Sequence, residues 1–218
     1  MDFNSFFRGD NFLFVFCNKI MDTVLLSILW VFLSIPLITI GPTTAALYFT
    51  VVKCLRGGDD HTYRCFWKSF LGNLRAGIPA TLIAAAILGL LTVGLEAARQ
   101  MTATGITGYT LFYIAYYFAA VLPVGVVCYL FPLLGRFSFS VRNLFVTSTQ
   151  LAVRHLPSTI VIVLLVIMVV NFCLKYPAAI FLVPSLTALV SSLFFERIFQ
   201  KYIPASLPDT SEDISDGE

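Results

Sequence analysis

The chain has 218 residues, 58% of them hydrophobic, 12% charged and 21 of them Phe, with a formal net charge of +2. Soluble domains carry about 25% charged residues. A soluble chain of this length could not hide so much apolar surface, so the composition points to an all-α polytopic membrane protein.

The chain opens on an amphipathic stretch, residues 3–17, which Asp2, Asp10 and Asp22 mark as something other than a cleavable signal peptide. Six apolar segments follow, at about 21–40, 43–55, 78–95, 111–134, 158–174 and 178–195. They read as about six transmembrane helices in three hairpins, each preceded by a cytoplasmic amphipathic helix. Between the first two segments, Gly41-Pro42 ends one helix and starts the next at once. The second segment spans only ~20 Å at ~1.5 Å per residue, short of the ~30 Å hydrocarbon core. It crosses between tilted neighbours or turns back as a re-entrant half-helix, and the charge balance favours a crossing.

Gly57-Gly58-Asp59-Asp60 reads as a turn. The second amphipathic approach, 63–74, sets Phe66, Phe70, Leu71 and Leu74 against Arg64, Lys68 and Asn73. The third, 140–156, sets Leu144, Phe145, Leu151 and Leu156 against Arg142, Asn143, Gln150 and Arg154. Both patterns suit helices lying in the membrane interface. Each passes into its next span through a similar joint, with Pro79 or Pro157 expected in the first turn. The result is a single transmembrane domain, 1–203, laid out as a loose three-unit repeat (1–56, 57–135, 136–203). The tail, 204–218, is acidic and polar and is expected to be disordered.

Of the 14 Lys and Arg residues, all but Arg99 and Lys175 fall on one side of this layout. The positive-inside rule then makes both termini cytoplasmic and the protein a multi-pass component of the cell membrane. The outer loops, 36–42, 96–110 and 175–177, are short.

One stretch carries a family resemblance. Pro36-Leu37-Ile38-Thr39-Ile40-Gly41-Pro42-Thr43-Thr44-Ala45-Ala46-Leu47-Tyr48 resembles the signature of the YesL-like integral membrane proteins of Gram-positive bacteria. The Asn18-Lys19-Ile20-Met21-Asp22 lead-in, the 53–58 exit and the Phe66-Trp67-Lys68-Ser69-Phe70 block are similar to the family too. Beyond about residue 108 the likeness is one of layout. The resemblance implies an association with carbohydrate-uptake and glycan-degradation systems and no established reaction.

No charge lies deep in an expected span: Asp22, Lys53, Glu96 and Glu196 all fall at span ends, with Glu196 and Arg197 expected at the interface. Asn171, Ser185, Ser191 and Ser192 suit helix–helix hydrogen bonding. The five cysteines lack metal-like spacing, and His61 and His155 fall in cytoplasmic segments. No phosphate loop, ATPase-coupling loop or nucleophile triad is visible. An enzyme, a cofactor, a metal site and a nucleic-acid partner are not expected.

Two features remain as carriers of function. The break at Thr39, Gly41, Pro42 and Thr43 is either a tight hairpin or a helix N-terminus offering N–H groups to a ligand. The aromatic and basic rim of Arg64, Phe66, Trp67, Lys68 and Phe70, with Tyr63, either docks a partner or anionic lipid or anchors the chain at the interface. The expected role is a non-catalytic accessory subunit of an ABC-type carbohydrate uptake system, in contact with the permease. The alternative is a stand-alone small-solute transporter or channel. A membrane enzyme has no residue evidence.

Overall fold

The computed structural model describes residues 12–56, 61–103, 107–137 and 139–202. The acidic tail, the 57–60 turn and most of the first amphipathic stretch lie outside these residues. Among the described residues the chain is all helical. Helix α1 is Phe12–Ser34, α2 is Ile40–Thr50, α3 is Thr62–Thr102 and α4 is Thr107–Arg136. Helix α5 is Val141–Arg154, α6 is Leu156–Lys175 and α7 is Val183–Tyr202. Short 3-10 turns, Leu37–Thr39 and Pro177–Phe181, precede α2 and α7, and a π-helical turn, Val51–Arg56, continues α2. Among the described residues four stretches are long and apolar enough to cross a membrane: Leu37–Arg56, Thr62–Thr102, Gly108–Arg136 and Leu156–Lys175.

Helix α2 is apolar on every side, and all its residues except Ile40 and Thr44 are buried. A helix of that kind belongs in the middle of a packed body. On one side Ala46 and Leu47, with Val51 and Leu55 just beyond, meet Leu26 of α1 and Phe66 and Phe70 of α3. On the other, Ala45 and Tyr48 meet Tyr129, Leu130, Leu133 and Leu134 of α4 and Phe195 of α7.

Helix α3 corrects the expected layout. The amphipathic approach and the following span are one continuous helix of 41 residues, with Pro79 in its interior. At ~1.5 Å per residue it is ~61 Å long, about twice the hydrocarbon thickness. The physical reason is a single buried stripe. Cys65, Phe66, Ser69 and Phe70 lead into Gly77, Ala80, Thr81 and Ala84. That stripe packs first on α2 and then on α4. At the second joint the expectation holds, since Pro157 lies in the first turn of α6.

The register of α2 against α3 follows from contacts at both ends. At one end both meet the same turn of α1: Thr62 Oγ1 donates to Asp22 Oδ2 at 3.1 Å, and Lys19 Nζ donates to the carbonyl of Leu55, just past α2, at 3.1 Å. At the other, a Cβ added to Gly77 would come within 2.6 Å of the Pro42 ring. Helix α2 therefore runs antiparallel to the first third of α3. The sequence placed Pro42 outside the membrane and Gly77 and Leu134 at its inner boundary, yet these residues meet. The first third of α3 stands beside α2 instead of lying flat, so α2 reaches only to where the apolar run of α3 begins.

One other expectation changes. The apolar face of α5, with Leu144, Leu151 and Ala152, packs into the core beside α4 rather than facing lipid. Helix α6 buries only Thr159, Ile162 and Val163, and most of its other apolar side chains remain at least partly exposed. The turn after α6 meets the middle of α1, where Ser27 Oγ donates to Ser185 Oγ at 2.8 Å.

Candidate functional site

The chain turn expected at Gly41–Pro42 comes earlier: α1 ends at Ser34, residues 35–39 make the turn, and Gly41 and Pro42 lie in the first turn of α2, closed in by their neighbours. A side chain at Gly41 would collide with Thr81 Oγ1 and come within 2.7 Å of the Phe131 ring and 3.2 Å of the Gly77 carbonyl. Glycine is required there for close approach to α3 and α4. The threonines bond inside the turn. Thr39 Oγ1 donates to the Leu33 and Pro36 carbonyls, and Thr43 Oγ1 donates to the Thr39 carbonyl at 2.6 Å. Trp30 Nε1 of α1 donates to Thr44 Oγ1 at 3.1 Å. Thr39 stands at the N-cap position without a side-chain bond to the helix N–H groups. Gly41, Pro42 and Thr43 are buried while Thr39 is partly exposed.

The rim divides. Arg64, Trp67 and Lys68 are exposed on α3, and Tyr63 stacks on Trp67 with ring centroids 6.4 Å apart. Phe66 and Phe70 were expected on the same surface and are buried against α1 and α2. The correction follows from helical spacing. Residues 66 and 70 are four apart and share the inward face, whereas 64, 67 and 68 share the outward one.

Sequence reasoning missed a buried polar node. Tyr48 Oη donates to Glu196 Oε1 at 3.1 Å, and Arg136 Nη2 lies 3.9 Å from Glu196 Oε2. One turn earlier on α7, the Ser192 carbonyl and Oγ accept from Arg56 Nη1 at 3.3 and 3.2 Å. Glu196 was expected at the interface and is buried instead. A buried carboxylate needs a donor and a counter-charge, and α2 and α4 supply them. The node thereby ties α2, α4 and α7 together. The signal available in the sequence was the Ser192–Glu196 spacing, which puts both on the helical face that also carries Ser185.

A shallow groove lies along α5, lined by Phe145, Val146, Thr149, Gln150, Val153 and Arg154, and opens to the outside. Among the described residues no group of three or more His, Cys, Asp or Glu side chains is placed to hold a metal ion.

A family model described as a protein of unknown function, DUF624, matches residues 23–95. The matched stretch runs from α1 through α2 into the apolar part of α3. It contains the Gly41–Pro42 break, the rim and the Gly41–Gly77 approach. No curated protein and no solved structure matches the chain.

Proposed function

We propose that the protein is a non-catalytic accessory subunit of a bacterial carbohydrate uptake system, held beside the permease of an ABC-type importer in the cell membrane. The family resemblance motivates the system. The observation that carries the accessory role is the contrast between a filled centre and an open flank. Tyr48, Phe66, Tyr129 and Phe195 fill the middle of the body and are fully buried. The flank of α6 leaves Ile160, Leu164 and Met168 exposed. This supports lateral contact within the bilayer over a solute path through the chain. In this reading α3 and α4 cross as a hairpin, both termini are cytoplasmic, and α1 and α2 lie on the cytoplasmic side. The exposed rim residues Arg64, Trp67 and Lys68 contact the partner, and Gly41 and Pro42 serve the turn.

A second reading, a stand-alone small-solute transporter or channel, draws support from the Tyr48–Glu196–Arg136 node, since buried charge in membrane proteins often marks a pathway. Co-purification in mild detergent separates the two. The accessory reading expects permease subunits to accompany the protein. It also expects the combined Arg64→Ala, Trp67→Ala and Lys68→Ala variant to recover at least tenfold less permease while remaining inserted. A wild-type protein that brings down no permease and moves solute in liposomes replaces it with the transporter reading.

A further inference from the structure

Helix α1 has two unlike faces. Leu26 and Ser27 are buried on the inner face, and Trp30 packs there beside them. The outer face is bare: Met21 is 70% exposed, Leu25 43%, Phe32 64% and Ile35, just past the helix end, 70%. Ile28 between them is half-buried. The spacing from Met21 through Leu25, Ile28 and Phe32 to Ile35 runs four, three, four, three. That is the spacing of a coiled-coil seam, in which alternate positions insert between side chains of a facing helix. Stepping back in the same register reaches Asn18, which is also exposed. Asn18, Leu25 and Phe32 thus occupy one seam position, and Met21, Ile28 and Ile35 the other. A single Asn in an otherwise apolar seam is a device that sets the register and the number of helices.

Lipid is a poor cover for this face. Helix α1 stands beside the first third of α3, held there by the Asp22–Thr62 bond and by Leu26 against Phe66 and Phe70. At that height α3 exposes Arg64, Lys68 and Arg75. Hydrocarbon around those cations is costly. The charge-free run of α3, 76–95, begins where α1 ends, at the Gly41–Gly77 approach. A row of large apolar side chains below that level calls for a protein cover.

We propose that α1 pairs in parallel with α1 of a second copy of this chain, about a twofold axis running along the seam. A twofold axis brings a seam onto itself, so no second complementary surface is needed. Asn18 then faces Asn18. A side-chain amide carries both donor and acceptor, so the pair satisfies itself. The pairing rests on the cytoplasmic placement of α1 proposed above and is independent of the accessory role.

A photoreactive benzoylphenylalanine in place of Phe32, in the full chain and in native membranes, tests it. Irradiation is expected to give a product of twice the chain mass containing only this chain. The same probe at Met168, on the exposed flank of α6, should give none. Adding Leu25→Asp to the position-32 probe should lower the product at least tenfold with the inserted amount unchanged. Asn18→Leu should let larger products form. Product with lipid alone, product with a different protein, or no product at position 32 overturns the pairing. A product with a permease subunit overturns it while upholding the accessory reading, and the co-purification experiment reports failure of that reading separately.

Discussion

The body around α2 and the outer part of the α3–α4 hairpin are made of similar apolar residues and are covered by different things. In the body, Tyr48, Phe66 and Tyr129 are covered by other parts of the chain. In the hairpin, Leu82, Leu90 and Val93 of α3 and Leu111, Phe112 and Phe118 of α4 are exposed. There α3 and α4 hold mainly each other: Tyr116 Oη donates to the Leu91 carbonyl at 3.4 Å, and its ring fills the space over Gly94. Hydrophobicity alone therefore does not tell an inward residue from a lipid-facing one. Small polar residues are the better guide. Thr43, Thr50, Thr81, Ser148, Thr159, Ser185 and Ser192 are all buried, and they lie in the body or at its edge. The hydroxyls of Thr43, Thr50, Thr81, Thr159 and Ser192 bond to helix carbonyls, and the small size of all these side chains lets helices approach closely.

The largest expected effect sharpens this contrast. Phe66→Ala removes a fully buried ring and should cost about 3–5 kcal/mol, read as a lowered midpoint in a denaturing-detergent titration. Leu90→Ala, in the exposed part of α3, should cost under ~0.5 kcal/mol in the same assay. Equal losses would mean that the hairpin is covered by protein as tightly as the body.

A pair of glycines gives the next test. A Cβ at Gly135 would run into the Ala45 carbonyl, and backbone there has no room to yield. Gly135→Ala should cost about 2 kcal/mol. A Cβ at Gly89 meets nothing within 4 Å. Gly89→Ala should stabilise by about 0.5–1 kcal/mol, because alanine favours the helix. Thermal melting of the two variants side by side checks the sign difference. A loss at both positions would break the comparison.

The smallest effect concerns the polar node. Tyr48→Phe keeps the ring and removes the donor to Glu196, at a cost of about 1 kcal/mol. Melting of this variant against Tyr116→Phe in the hairpin shows whether the body depends more on its hydroxyl. No loss at Tyr48 would mean that Arg136 alone satisfies the carboxylate.

The class of molecule was legible in the sequence because apolar runs are a local property. The start of α2 was legible too, since Pro42 lies in its first turn, but the sequence did not show where α1 stops: α1 ends at Ser34, before Pro36, and not at Gly41. The union of 63–74 with 78–95 was not legible. Arg64 and Lys68 signal an interface on one side of that stretch, while Phe66 and Phe70 on the other side signal a core, and composition averages the two. The helix propensity lost at Pro79 was read as a boundary, but tertiary packing of Gly77, Ala80 and Thr81 carries α3 through it. Glu196 was misplaced because its partners lie far away in sequence: Tyr48 is 148 residues distant. Spacing on one helix cannot reveal a bond of that range.

Pro79 has one more consequence. Proline lacks the N–H that would bond to the carbonyl four residues earlier, so the Arg75 carbonyl loses its rung of the α3 ladder. Two residues on, Thr81 Oγ1 donates to the Gly77 carbonyl at 2.6 Å, a bond of the kind that bends helices. The bending compliance of α3 is therefore greatest at 75–81, where the helix leaves the shelter of α2 and enters the hairpin. A pivot of about 5° at that point swings the far end of the ~30 Å arm beyond it by about 3 Å. A load on the far end of the hairpin is thus delivered to one short segment, which lies against Gly41 and Pro42.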